Sequence, residues 1–206
     1  MFEITHKRHN KLRAALARLV SSSRRWVSLD FFTDAEITAL KKLAGAQIFR
    51  TAQVEIVHRE NRVFQDFDVC FPAPRFGAFD DLASGLESGL FAAGSELAHN
   101  PFETPFKFDD FAIQRYSPGS KGIGIHRDGK RYKYIIVIIT IAGQSRLFST
   151  ASRVGETRQR IDDRPGRLVL LTADGFAGLH GENARPLHGV DCVRSGRLSI
   201  GFRSFG

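Results

Sequence analysis

Residues 134–141 read Tyr-Ile-Ile-Val-Ile-Ile-Thr-Ile, a run of β-branched and aromatic side chains with no charged residue inside it. The run is too short to cross a membrane and too uniformly apolar for a strand that has one face in water. It therefore predicts a strand that is buried on both faces, with other parts of the protein packed on each side of its sheet.

Short strand patterns surround this run on both sides. They lie at 111–116, 146–150, 157–161, 167–172, 188–193 and 197–203. Turn signals separate them, for example Ser117-Pro118-Gly119 after the first and Ser195-Gly196 before the last. A further strand is expected over 47–57. Many short strands with regular turns are typical of an all-β core.

The first half of the chain carries helical signals instead. Thr33-Asp-Ala-Glu36 is a capping box that begins a helix over 34–43, and residues 79–99 form a second helix. Helices followed by strands predict an α+β fold. We expect a double-stranded β-helix, the jelly-roll or cupin-like barrel, flanked by N-terminal helices.

No linker, repeat or low-complexity tract divides the 206 residues, so a single domain over 1–206 is expected. Within it we predict a basic helical arm at 1–28, helices and lid strands at 29–110, and a jelly-roll core at 111–206. Residues 63–76 are dense in Phe and Pro. This stretch is either a buried strand face or a partly exposed aromatic lid over a substrate site.

Cysteine use and hydropathy indicate where the protein works. Cys70 and Cys192 give neither a disulfide framework nor the spacing of a zinc site. The N-terminus is basic but lacks the apolar core of a secretion signal. We therefore expect a soluble, cytoplasmic protein with no membrane association.

The net charge of +8 is concentrated at the N-terminus. The arm carries the basic residues Lys7, Arg8, Lys11, Arg13, Arg18, Arg24 and Arg25 against the single acidic residue Glu3. Its apolar residues from Leu12 to Val20 fall on one helical stripe, which predicts an amphipathic helix. This helix either packs on the core as scaffold or binds a polyanion such as nucleic acid.

Two histidines and one aspartate form a candidate metal site. His126 and Asp128 are two residues apart, so an extended segment can point both to the same side, and His188 begins a later strand. Two imidazoles and one carboxylate hold Fe(II) on one face and leave the other face open for O2 and a co-substrate. His180, in a glycine-rich loop, is the rival ligand.

Basic residues on the last strand can hold an anionic co-substrate. Arg197, Ser199 and Arg203 are separated by even numbers of residues along it and therefore share a face. The planar guanidinium of arginine pairs with a carboxylate through two hydrogen bonds. Two arginines inside a barrel would be costly without an anionic ligand, so we expect them to bind one.

Together these segments resemble the AlkB-type branch of the Fe(II)/2-oxoglutarate-dependent dioxygenases. The resemblance covers roughly residues 110–203, and the paired arginines at its end are its most specific part. It implies that Arg197, Ser199, Arg203 and Tyr116 contact 2-oxoglutarate, and that Gln114 stands where the family has an asparagine. Because Asp128 is present, the resemblance implies hydroxylation or oxidative demethylation and not halogenation.

A cationic rim formed by Arg127, Lys130 and Arg131 surrounds Asp128, where nucleobase-repair members usually carry acidic residues. It favours a phosphate, a carboxylate or a nucleic-acid backbone over a cationic methylated base. The substrate is then a nucleic acid or nucleotide, or alternatively a small anionic metabolite. A non-catalytic binding module is disfavoured because all the ligands are present. An arm on the iron side would favour a polynucleotide, and an arm behind the barrel would favour the small anion.

Overall fold

The computed structural model describes residues 2–58 and 61–206. The helices are α1 (His6–Ser21), α2 (Asp34–Gly45) and α3 (Ala78–Ser95). The strands are β1 (Trp26–Asp30), β2 (Arg50–Thr51), β3 (Glu55–His58), β4 (Asn61–Asp66), β5 (Asp68–Cys70), β6 (Asp110–Tyr116), β7 (Gly122–His126), β8 (Lys133–Gly143), β9 (Arg146–Thr150), β10 (Gln159–Ile161), β11 (Arg167–Thr172), β12 (Leu187–Asp191) and β13 (Arg197–Ser204). None of the helices in these residues is both long and apolar enough to cross a membrane.

The strands form two antiparallel sheets. The larger sheet has the order β1-β11-β8-β13-β6-β5-β2, and the smaller has the order β10-β9-β12-β7-β4-β3. The predicted α+β class is confirmed. Over residues 2–58 and 61–206, however, the two sheets remain separate and do not close into one barrel.

The apolar run of β8 lies near the middle of the larger sheet, between β11 and β13. Ile135, Val137 and Ile139 belong to the same buried cluster as the leucines of α1 and α3. Ile136 belongs instead to the cluster that lies between the two sheets, with Val169 of β11. The prediction of a strand buried on both faces is therefore confirmed.

The predicted strand over 47–57 is two strands, because the chain changes sheets within it. β2 pairs with β5 in the larger sheet, and β3 pairs with β4 in the smaller one. In the segment between them, the backbone N–H of Ala52 donates to the carbonyl of Phe67. The aromatic stretch at 63–76 is neither only a buried strand face nor only an exposed lid. Phe67 is buried, while Phe64 and Phe76 are 44% and 69% exposed.

The capping box of α2 is confirmed: the Thr33 hydroxyl accepts from the backbone of Glu36 at 3.3 Å, and the Glu36 carboxylate accepts from the backbone of Thr33 at 2.9 Å. The same carboxylate pairs with Arg8 of α1. The cap therefore both begins α2 and joins it to the basic arm.

The arm packs behind the larger sheet. Leu12, Leu16 and Leu19 of α1 are buried in the cluster that α3 and the outer face of that sheet share. Several of its charged side chains make contacts within the protein. Lys11, for example, donates to the carbonyl of Asp30 at 2.6 Å. Of the two arrangements that the sequence left open, the structure shows the scaffold arrangement.

Replacing Leu16 by Ala should lower the free energy of unfolding by about 2–5 kcal/mol, because a fully buried leucine leaves a cavity when it is truncated. Arg18→Ala, at an exposed position of the same helix, should change it by less than about 0.5 kcal/mol. Urea denaturation measures both variants. Equal stabilities would mean that α1 is not part of the scaffold.

Candidate metal centre

The three predicted ligands lie together between the sheets. His126 ends β7 and is the register partner of His188 in β12, and their ring centres are 4.3 Å apart. The Asp128 carboxylate lies 3.3 Å from Nε2 of His188. One ligand atom from each of the three side chains lies within 4.8 Å of the other two. The structure thus brings together residues that are far apart in the sequence.

Backbone carbonyls hold both imidazoles in one tautomer. Nδ1 of His126 bonds to the carbonyl of Gly124 at 2.8 Å, and Nδ1 of His188 bonds to the carbonyl of Pro186 at 3.1 Å. A carbonyl only accepts hydrogen bonds, so each Nδ1 carries a hydrogen, and in the neutral ring Nε2 keeps the lone pair that binds a metal.

Charge around the site favours the protonation states that bind a metal. Burial, together with the neighbouring His188, lowers the pKa of His126 to about 4. Burial alone would raise the pKa of Asp128, but the positive charge of Arg203 and the two imidazoles outweigh it and lower that pKa to about 2. At neutral pH the imidazole of His126 is therefore neutral and the carboxylate is ionised, as metal ligands must be.

Two arginines hold Asp128 in place. Nε of Arg203 donates to its carboxylate at 3.0 Å, and Arg185 donates to its backbone carbonyl at 2.7 Å. The predicted rival His180 does not join the cluster: its side chain is 69% exposed and lies 3.6 Å from Asp174. Two imidazole nitrogens and one carboxylate oxygen in a buried site are a donor set that suits Fe(II).

The residues predicted for the co-substrate share the face of the larger sheet that is turned toward the smaller one. Arg197 is the register partner of Tyr116, and Ser199 is the partner of Gln114. The Tyr116 hydroxyl donates to the Gln114 side chain at 3.2 Å, and the Arg197 guanidinium lies 6.0 Å from the Tyr116 ring centre. The four side chains therefore form one polar cluster in the interior of the protein.

Contrary to the expectation from the sequence, both inward arginines already have carboxylate partners. Arg197 contacts Asp163 at 2.6 Å, and Arg203 contacts Asp110 at 3.3 Å in addition to Asp128. Their charges do not by themselves require a ligand. Within the described residues, however, Nε of Arg197 is buried and has no hydrogen-bond partner. That orphan donor suits a further carboxylate.

Asp163 and Asp110 were not predicted to belong to the site. Asp163 precedes the turn Pro165-Gly166, and Asp110 comes just before the strand pattern at 111–116. The only available signal was an acidic residue beside a strand that becomes buried. That signal is common, and it does not identify the partner.

Two of the three predicted rim residues make contacts within the protein. Arg127 donates to the carbonyl of Arg185 at 3.0 Å. Arg131 lies over the rings of Tyr132 and Phe205, at 5.0 and 5.3 Å from their centres. Lys130 is exposed. The rim is therefore cationic as predicted, but part of it is structural.

A groove with a volume of about 430 Å³ runs beside β7, the strand that ends in His126. Its floor includes Ile123, Gly124 and Ile125, and the aromatic rings of Phe64 and Phe148 also line it. Arg62, Arg153 and Arg158 also line it, together with Asp191. Asp191 pairs with Arg158 at 2.6 Å, while Arg62 pairs with Glu55 at 3.4 Å. Phe148 is the register partner of Gly189, whose neighbours His188 and Val190 face inward, so the groove lies on the face of the smaller sheet that is turned away from the metal ligands.

Replacing His126 by Ala should weaken Ni(II) binding by at least about a hundredfold, because one of the three ligands is lost. Loss of a residue that only orients a ligand typically weakens metal binding by about 10–100-fold, so loss of a ligand itself should cost at least as much. His180→Ala should bind Ni(II) as the unaltered protein does. Calorimetric titration measures the affinity, and circular dichroism checks that the sheets remain folded. Undiminished binding by His126→Ala would remove this residue from the metal centre.

No family model matches the chain, and neither does any curated protein. Solved structures do match it. One is a prolyl hydroxylase from Trichoplax adhaerens, in complex with a peptide fragment of the hypoxia inducible factor oxygen degradation domain. Its sequence is 15% identical and its TM-score is 0.68, and the match covers 97% of this chain and 91% of that one. A Burkholderia pseudomallei oxidoreductase of the 2OG-Fe(II) oxygenase family is 14% identical with a TM-score of 0.61, over 100% and 94%. OsALKBH1 is 14% identical with a TM-score of 0.59, over 87% and 97%. The chain therefore has the fold of these proteins, one of them a 2OG-Fe(II) oxygenase.

Proposed function

We propose that the protein is an Fe(II)- and 2-oxoglutarate-dependent dioxygenase in which His126, Asp128 and His188 hold the iron. The observation that carries this proposal is the triad itself, in which one ligand atom of each side chain lies within 4.8 Å of the other two and carbonyl contacts at Nδ1 leave the Nε2 atoms available for a metal. Bound iron and 2-oxoglutarate, with O2, supply the oxidation of a substrate C–H bond to an alcohol, with succinate and carbon dioxide as co-products.

The protein's own residues position the reactants. Arg203 keeps Asp128 ionised and oriented. The carboxylates of 2-oxoglutarate are bound by four side chains, those of Arg197, Ser199, Tyr116 and Gln114. The unpartnered Nε of Arg197 supports this role. Arg203 also borders the co-substrate, because it lies on the same strand face.

We further propose that the two sheets are the walls of a jelly-roll and that residues 1–206 form one domain. The arm at 1–28 and the helices at 29–110 then support the core at 111–206. Assignment to the AlkB-type branch is supported by the register of Gln114 and Tyr116 against Ser199 and Arg197. An alcohol formed on a methyl carbon bound to nitrogen loses formaldehyde as the C–N bond breaks and the nitrogen takes a proton, so the same chemistry also performs demethylation.

For the substrate we propose a small anionic molecule. The arm does not extend the cationic surface of the metal centre, because it lies behind the larger sheet. The positive charge beside the metal ligands comes instead from Arg127, Lys130 and Arg131, which flank Asp128 in the sequence, and Lys130 and Arg131 are exposed. Exposed cations at the rim of a site attract a carboxylate or phosphate.

Succinate formation from 2-oxoglutarate, measured across small carboxylic acids, mononucleotides and oligonucleotides, tests this proposal. We expect small anions to stimulate it, and His126→Ala to abolish it. Stimulation by oligonucleotides alone, with affinity that falls steeply as salt increases, would identify a nucleic-acid substrate instead. The absence of 2-oxoglutarate binding to the metal-loaded protein would contradict the reaction class.

Replacing Arg197 by Lys should weaken 2-oxoglutarate binding by about twofold to tenfold, because the charge remains but the fork that bonds a carboxylate is lost, at about 0.5–1.5 kcal/mol for one net hydrogen bond. Arg194→Lys, at an exposed position just before the same strand, is the matched control. Calorimetry with Ni(II)-loaded protein measures both affinities. Equal affinities would exclude Arg197 from the co-substrate site.

A further inference from the structure

Asp163 makes the closest ionic contact with the arginine proposed to bind the co-substrate. It lies in the segment between β10 and β11, and its Oδ2 is 2.6 Å from Nη1 of Arg197. The Thr140 hydroxyl donates to the same oxygen at 3.0 Å. The side chains of Arg197 and Asp163 are only 2% and 5% exposed, so water screens this pair little.

The contacts occupy one end of the guanidinium and leave another edge available. Asp163 and Thr140 both engage Nη1, while Nε is buried without a partner among the described residues. Nε and Nη2 together form a fork that bonds a carboxylate through two hydrogen bonds. Asp163 and Thr140 therefore do not occupy the two donors, Nε and Nη2, that a carboxylate of a 2-oxo acid would need.

Such binding would bring two negative groups to one positive group. Asp163 already compensates the charge of Arg197, and a second carboxylate on the guanidinium would lie near the first. Like charges at this separation repel, and burial strengthens the repulsion. A negatively charged tail on the co-substrate therefore adds less to the binding affinity here than it would at an arginine without a carboxylate partner.

We infer that Asp163 is a specificity-determining residue that reduces the preference for a charged tail on the 2-oxo acid co-substrate. The inference rests on the proposed function, because it concerns the co-substrate of the same site. It implies that 2-oxo acids with neutral tails compete with 2-oxoglutarate at this metal centre. The ligand class is therefore 2-oxo acids in general, with the charged tail favoured only weakly.

The first test compares two ligands on the unaltered, Ni(II)-loaded protein by calorimetry. One is 2-oxoglutarate, and the other is 5-methyl-2-oxohexanoate, in which an isopropyl group replaces the distal carboxylate. An arginine without a carboxylate partner would favour the charged tail by about tenfold to a hundredfold, the value of a charge-assisted hydrogen bond. We expect a preference below tenfold. A preference of tenfold or more would overturn the inference.

The second test is Asp163→Asn, which keeps an oxygen for Arg197 and Thr140 but removes the charge. It should bind 2-oxoglutarate at least about fivefold more tightly, as expected for removing a like charge a few ångströms away. Its affinity for 5-methyl-2-oxohexanoate should not change. Asp162→Asn is the control, since the neighbouring Asp162 contacts Arg164 and Arg167 instead. Unchanged or weaker 2-oxoglutarate binding by Asp163→Asn would mean that Asp163 only orients Arg197.

Thermal unfolding gives a readout that is independent of turnover. Asp163→Asn leaves Arg197 as a buried charge without a counter-ion, so its Tm should fall in the absence of co-substrate. 2-Oxoglutarate should then raise the Tm of this variant more than that of the unaltered protein, because it supplies the missing carboxylate. An equal rise in Tm would contradict the inference. If Asp163→Asn does not fold, the ligand comparison on the unaltered protein still decides. If the unaltered protein binds neither 2-oxo acid, the proposed function itself fails.

Discussion

The metal centre depends on one irregularity in the pairing of β7 with β12. Val190 pairs with Ile123, but His188, two residues earlier, pairs with His126, so the register shifts between them. Regular pairing would place Ile125 opposite His188, and because side chains alternate, His126 would then point away from Ile123. The additional residue in β7 is a β-bulge, which turns His126 toward its partner. Gly124, within the bulge, also supplies the carbonyl that fixes the His126 tautomer.

Around this geometry, aspartates and arginines alternate through the interior. Asp110 and Asp128 both contact Arg203, and Asp163 contacts Arg197. Each charge is expensive to bury alone and acceptable when it is paired. The arrangement orients the metal ligand Asp128 through Arg203, while Arg197 keeps one unpartnered nitrogen. The same compensation that allows arginines in the interior therefore also limits how strongly they attract a ligand.

Sequence patterns within a few residues predicted those features that depend only on neighbouring residues. The α2 capping box, the apolar run of β8 and the His126–Asp128 pair follow from spacing within a few residues. The contact of Asp163 with Arg197 could not be predicted, since it joins residues 34 apart on different strands or loops. The bulge in β7 was missed for a related reason: it is defined by pairing with β12. The leucine stripe of α1 predicted a helix, but only packing against α3 shows which side of the sheets it covers.

The N-terminal end of the chain is held on the side of the larger sheet that faces away from the metal residues. Cβ atoms built at Gly85 and Gly89 of α3 would lie about 3 Å from side-chain atoms of Phe2 and Ile4, so these small residues allow the end of the chain to lie flat on the helix. A linker attached there would leave the protein from its rear face. A molecule anchored to a solid support through that linker would keep the larger sheet between the support and its metal centre, so immobilisation would not obstruct the approach of a substrate.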